Sequence, residues 1–303
     1  MQKENITPPC TEKIAQCSSN KITNCLMQLL AERIEEKSER FTQLYNNCGK
    51  RWNDALFKLL ARSFGFGIQS NAFEEWASLL NMQALAKHGD NIEQIEAIFF
   101  GQAGLLNNES IPQYYQTDAH ASNYYNTLLR EYRFLKSKFE LQEMDYKKWN
   151  GSASPHIRIA RMATLLQRGS VNINRIAELN TITELRNLFQ AQPSYYWQHH
   201  TQFGSTTTIG TGDIKNRQLD VLIINTVIPM LYCYGKHRCD ADLCNKAEDY
   251  LREINCEQNN IIRRWAERGL CATSAAESQA LIQLNNAYCT KLRCNECPLA
   301  NMD

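Results

Sequence analysis

The stretch Asn91–Leu106, NIEQIEAIFFGQAGLL, decides what kind of fold this chain adopts. Ile92, Ile95, Phe99 and Leu106 recur at steps of three, four and seven, the spacing of a helix with one buried face. Gly101, Ala103 and Gly104 remove bulk beside that stripe. A glycine inside a soluble helix costs roughly 1 kcal/mol, so these residues predict either close helix packing or an early helix end. Glu93 and Glu96 sit on the same element. Both are expected on a solvated face, because Glu is seldom buried unless paired.

The same period extends in both directions. In Ile22–Asn47, Leu26, Leu29, Leu30, Ile34 and Phe41 form one apolar face. Arg51–Gly67 repeats the pattern and predicts a left-handed cap at Gly65. Asn71 with Glu74 three residues on predicts a capping box, and Ser122–Phe139 reads as one long helix. Later helices are expected over 155–168, with Pro155 at the first position, and over 172–189, 217–234, 240–254, 258–268 and 275–289. The last opens with a Ser274/Glu277 capping box. No run alternates as a strand. The expected fold is therefore all-α, an irregular multi-helix bundle in two packed lobes. A poorly ordered tail (1–20) precedes one lobe (21–149) and a second (150–303), divided at the small polar run before Pro155.

Lys and Arg number 33 against 32 Asp and Glu, a formal charge of +1, so any basic surface must be local. Hydrophobic residues at 43% and charged residues at 21% are ordinary for a soluble domain. With no apolar leader and no uninterrupted run of about 18 apolar residues, the expectation is a cytoplasmic protein with no membrane partner. Most of the twelve cysteines are then expected reduced.

The motifs that announce common chemistries are missing: H-E-x-x-H, a P-loop lysine, G-x-S-x-G and a complete dinucleotide fingerprint. Three other patterns remain. Cys289, Cys294 and Cys297 stand as C-x4-C-x2-C, one thiolate short of a closed four-sulfur site. Cys244, on the side of its helix that carries Leu243, Ala247 and Leu251, is the expected fourth ligand, with Cys271 as the alternative. Zinc and an iron–sulfur cluster fit such a set equally, and Cys294-x-x-Cys297-Pro298 resembles the end of bacterial iron–sulfur motifs. Arg158, Arg161 and Arg168 share a helix face by spacing, which suits phosphate contacts. Tyr195, Trp197, His199 and His200, in PSYYWQHHTQFG, suit base stacking. An enzyme reading pairs His199 or His200 with Glu93 or Glu96. A third reading is a structural interaction protein with inert buried cysteines.

Six phrases together carry a resemblance: GFGIQSNAFEEWA, QIEAIFFGQAGLL, PHIRIARMATLL, YYWQHHTQFG, IINTVIPMLYCYG and SQALIQLNNAYCTKLRCNEC. They resemble a bacterial family catalogued as domain of unknown function 2851, over about Pro8 to Cys297. The resemblance implies family members with a longer N-terminal region, reminiscent of restriction-type nuclease cores, and equates this chain with their helical C-terminal portion. It supplies no catalytic residues. The expectation is a non-catalytic helical module with a cysteine metal site, whose partner is nucleic acid or a nuclease-type protein.

Overall fold

The periodicity is realised as helices, in a computed structural model that describes residues 10–149 and 154–301. The chain runs through α1 (Cys10–Gln16), α2 (Ser19–Asn47), α3 (Trp52–Phe64), α4 (Ser70–Leu79), α5 (Met82–Lys87) and α6 (Ile92–Gln102). There follow α7 (Gln113–Ala121), α8 (Asn123–Phe139), α9 (His156–Gln167), α10 (Ile173–Glu178), α11 (Ile182–Phe189) and α12 (Tyr195–His199). The last group is α13 (Asn216–Leu222), α14 (Ile228–Arg238), α15 (Ala241–Glu253), α16 (Asn260–Ala266) and α17 (Ala275–Gln283). The protein is all-α. Among the described residues there is no strand, only an isolated antiparallel bridge between Asn255 and Ser274.

Several local expectations are corrected. The tail expected over 1–20 contains α1, with Cys10 and Ile14 buried; residues 1–9 lie outside the described residues. Gly65 is right-handed (φ −69°), and the left-handed residues are Phe66 and Gly67. Glycine is required at 65 for another reason: a Cβ there would overlap the Ser70 backbone. Asn71 is not a cap, because α4 already starts at Ser70; its Oδ1 accepts from Arg62 Nη1 at 3.0 Å, and Glu74 pairs with the same arginine. The helix expected over 172–189 is two, since Thr181 and Glu184 make a capping box that starts α11 afresh. The Ser274/Glu277 box is present as expected.

The chain forms two compact units, one of Met1–Gln43 with Ile228–Asp303 and one of Leu44–Val227. The boundary expected near 150 therefore falls within the second unit. Its small residues 150–153 lie outside the described residues, but the flanking helices α8 and α9 both pack on α6. Polar composition marks a connection, and it does not show which helices that connection joins.

In the Leu44–Val227 unit, α6 is the central element. Every residue from Ile95 to Gln102 is buried, so its apolar surface goes well beyond the stripe read from periodicity. Gly101 lets Tyr132 of α8 lie directly on the helix backbone, where a Cβ would run into the tyrosine ring. Trp76 packs edge-on against Phe99 with centroids 4.9 Å apart, and its Nε1 donates to the Phe99 carbonyl at 3.0 Å. Burying such rings is each worth on the order of 2 kcal/mol or more.

In the other unit, α14 and α15 pack closely because Gly235 leaves room for the Cys244 sulfur, which a Cβ would meet at 2.8 Å. Both α15 and α16 lie against α17. A π-helical turn, Leu284–Cys289, continues α17, and another, Ile223–Val227, joins α13 to α14. The continuous helical run Asn216–Arg238 is long and apolar enough to cross a membrane by length and composition, and 72% of its most apolar window is buried within the protein.

Candidate functional site

Two places gather chemistry-bearing side chains. The first, in the Leu44–Val227 unit, is built around Glu96. Its position four residues after Ile92 and three before Phe99 puts it on the inner face of α6, and it is 0% exposed. The Tyr124 hydroxyl donates to Glu96 Oε2, while Glu96 Oε1 is buried with no hydrogen-bond partner. Burial pushes the carboxyl up to about 7, against the opposing pull of the Tyr124 and Ser194 hydroxyls. Glu93 is exposed, as expected. The solvated-face expectation for Glu96 is wrong, and the signal against it is its register with Ile92 and Phe99.

The aromatic segment anchors beside this carboxyl. Trp197 is fully buried, donates its Nε1 to Tyr124 Oη at 2.9 Å, and stacks on Phe100 at 4.8 Å. His156 lies in the same ring cluster. Burial pushes its imidazole down to about 3, so it is neutral, and its Nδ1 pairs with Ser154 Oγ at 2.7 Å. Tyr196 is sandwiched between Tyr124 (4.3 Å) and His200 (3.8 Å). His200 Nδ1 faces the Tyr196 carbonyl at 2.7 Å. Tyr195 points the other way, 79% exposed and edge-on to the exposed His199 at 5.5 Å. The loop carrying Ile209, itself 94% exposed, is tied to this turn by Thr207 N to His199 O (2.8 Å) and Thr211 N to Gln198 O (3.0 Å).

The arginines do not share one open face. Arg161 is only 8% exposed and donates to the carbonyls of Thr211 (3.2 Å) and Gly212 (2.6 Å). Arg158 is half-buried, donates to the Phe64 carbonyl at 3.2 Å and to Gln69 Oε1, and lies over the Phe73 ring. Burial pushes both guanidinium groups down from their ordinary value. Arg168 is exposed and donates to the Gln190 carbonyl at 3.0 Å. The shared spacing is real, but backbone carbonyls engage all three.

The second place is the cysteine tail, in the other unit. Cys289 ends the π turn, and Leu292 adopts a left-handed conformation (φ 55°) that reverses the chain. Arg293 N then bonds the Tyr288 carbonyl at 2.9 Å, and Cys297 N the Cys294 carbonyl at 3.2 Å. The ionisable groups facing Cys289 are Cys297, Cys10, Cys294 and Arg268. Burial first, then the neighbouring thiols, pushes Cys289 up to about 11. Neither Cys244 nor Cys271 is among these groups. Cys244 donates to the Tyr232 carbonyl at 3.6 Å and faces Lys236, Asp240, Glu248 and Glu35. Cys271 is exposed and opens with Cys256 onto a surface cleft. As the side chains stand, no three His, Cys, Asp or Glu groups among the described residues are placed to hold an ion.

Lys37 escapes a reading based on motifs. Burial, then the charge of Arg33, pushes its ammonium down to about 7; its Nζ donates to Gln279 Oε1 at 2.7 Å. Its spacing of three from Ile34 and four from Phe41 is the available signal.

No curated protein and no solved structure matches this chain at a significant level. A family model does match, over residues 1–260. It stops short of the cysteine tail, so the likeness expected through Cys297 is found only to that point. With most of its length matched, the chain belongs to the family described as "Protein of unknown function (DUF2851)".

Proposed function

We propose that this chain is a non-catalytic helical module that binds single-stranded nucleic acid on the turn Tyr195–His200. The observation that carries this reading is the division of labour within one aromatic segment. Trp197 and Tyr196 lock the turn from inside, which leaves Tyr195 held out at 79% exposure beside His199 and the exposed Ile209. An aromatic ring presented on a pre-ordered turn is what base stacking requires, and stacking tolerates any sequence. Arg161 supports the surface indirectly, by holding the Thr211 and Gly212 carbonyls of the adjoining loop. Of the groups in the enzyme reading, Tyr124 takes up Glu96 Oε2 and the Tyr196 ring and carbonyl take up His200, while Glu93 and His199 are exposed. In this reading the module works in the cytoplasm, and Asn216–Arg238 is a core helix.

Fluorescence anisotropy with labelled single-stranded DNA and RNA tests it. Binding is expected at low salt, with a shallow salt slope because the candidate arginines are engaged by backbone carbonyls and leave few phosphate contacts. Tyr195→Ala is expected to weaken it roughly 5- to 150-fold, from about 1–3 kcal/mol per stacked base. Wild-type protein that binds neither oligonucleotide, or a Tyr195→Ala variant that binds as well as wild type, would overturn the proposal. So would turnover of the oligonucleotide.

A further inference from the structure

Helix α8 carries chemistry on the side that packing leaves free. Its buried face is Tyr125, Leu128, Tyr132 and Leu135, at the three- and four-residue steps of a helix. The opposite face holds Arg130, Phe134 and Lys138, each four residues from the next, so the three stand in one row along the helix. Arg133 and Ser137 flank the row, and all five are exposed. Phe134 is a large ring left 61% exposed, with Lys138 Nζ over it at 5.8 Å.

Acids are kept off this face. Among the described residues of α8, none that is exposed is acidic, against four exposed cations, Arg130, Arg133, Lys136 and Lys138. Glu131 is half-buried and accepts from Gln94 Nε2 at 3.3 Å. Glu143 pairs with Lys136 at 2.6 Å. Glu140, the left-handed cap, lies beyond the end of the row, where it shares a surface cleft with Arg133. The guanidinium groups of Arg130 and Arg133 have no hydrogen bond or ion pair among the described residues. They are therefore available to a ligand in a way that Arg158, Arg161 and Arg168, held by backbone carbonyls, are not.

The turn Tyr195–His200 is fastened to this same helix. Tyr196 stacks on Tyr124 at 4.3 Å, and Trp197 Nε1 donates to Tyr124 Oη at 2.9 Å. Tyr124 lies in the first turn of α8, and Phe134 stands roughly 15 Å further along its axis. We propose that the outer face of α8 is a second contact for single-stranded nucleic acid, with Arg130, Arg133 and Lys138 on phosphates and Phe134 under a base. This rests on the nucleic-acid reading of the turn and extends the strand's path along the helix. Cations interleaved with an exposed ring suit a strand, which offers a charge and a stacking face at every nucleotide. An anionic membrane suits the face less well. Lying in a bilayer surface takes a broad apolar face, and Phe134 is the one large hydrophobic side chain exposed on α8 among the described residues. Three cations on a single strand correspond to a salt slope of only about −2.

The test is fluorescence anisotropy of the full chain with labelled oligothymidylate across a salt series. Arg130→Gln with Arg133→Gln is expected to weaken binding and to reduce the salt slope by about 1.4. Phe134→Ala is expected to weaken it roughly 5- to 150-fold, the worth of one stacked base, with the slope unchanged. All three side chains are exposed, so thermal unfolding should match wild type. Arg263→Gln with Lys291→Gln removes the same charge from exposed positions of the other unit and should change neither affinity nor slope. Wild-type affinity and slope in both α8 variants, or an equal loss in Arg263→Gln with Lys291→Gln, would overturn the proposal. When Tyr195→Ala alone weakens binding, α8 falls and the turn stands; when the α8 variants alone weaken it, the turn falls and α8 stands. Wild type that ignores the oligonucleotide but sediments with phosphatidylserine vesicles would assign the face to a membrane and overturn it as well.

Discussion

Glu96 and Cys289 are both acids raised by burial, and their surroundings answer that burial in opposite ways. Around Glu96 the protein supplies neutral donors and rings: Tyr124, Ser194, Trp197 and Phe100. The carboxyl keeps its proton through mildly acidic pH and is half ionised at about pH 7, and the polar network is closed within its own unit except at Oε1. Around Cys289 the neighbours are further thiols and one arginine. Burial and those thiols together keep the proton on the Cys289 sulfur. The first cluster meets burial with hydrogen-bond donors, whereas the second meets it with further thiols. Clusters of ionisable groups are informative through the sign of their neighbours more than through their number.

The strongest way to break this comparison is to attack the self-sufficient cluster. Trp197→Ala removes a fully buried ring from among Phe100, His156 and Phe203. It is expected to cost about 3–5 kcal/mol in denaturant unfolding. A loss under about 1 kcal/mol would mean that the ring cluster is not what holds this unit together.

Next in size is the pH dependence of Glu96. Its carboxyl has a value of about 7 in the folded protein against 4.5 for the ordinary group, so the folded state holds the proton more tightly. The resulting stabilisation is fully present below about pH 4.5 and is lost as pH rises to about 7, by on the order of 3 kcal/mol. Glu96→Gln should flatten that decline, because an amide has no proton to lose. An unchanged pH profile in the variant would show that Glu96 is hydrated and ionised in the folded protein.

The smallest effect sharpens the comparison. Tyr195→Ala should leave stability within about 0.5 kcal/mol, since the ring is mostly outside, even where it weakens oligonucleotide binding. A large destabilisation would make Tyr195 one more structural ring, like Tyr196.

Much of the helical fold was legible because helix periodicity is local: Ile92, Ile95 and Phe99 need only their own spacing to define a face. Caps were legible where the side chain and the backbone it serves are three residues apart, as at Ser274 and Glu277. Where the reading differs from the structure, the deciding partner lies beyond the three- or four-residue reach of helix periodicity. Gly65 is fixed by the backbone of Ser70, Arg161 by carbonyls fifty residues on, and Asn71 by Arg62. The tail shows both sides most clearly. Its own sequence determined that Cys289, Cys294 and Cys297 form a group, since spacing and a helix end suffice for that. Only the tertiary structure could decide that Cys10 faces them and Cys244 does not, because side chains nearly three hundred residues apart are brought together by packing, and packing energy is a property of the whole buried surface rather than of any local stretch.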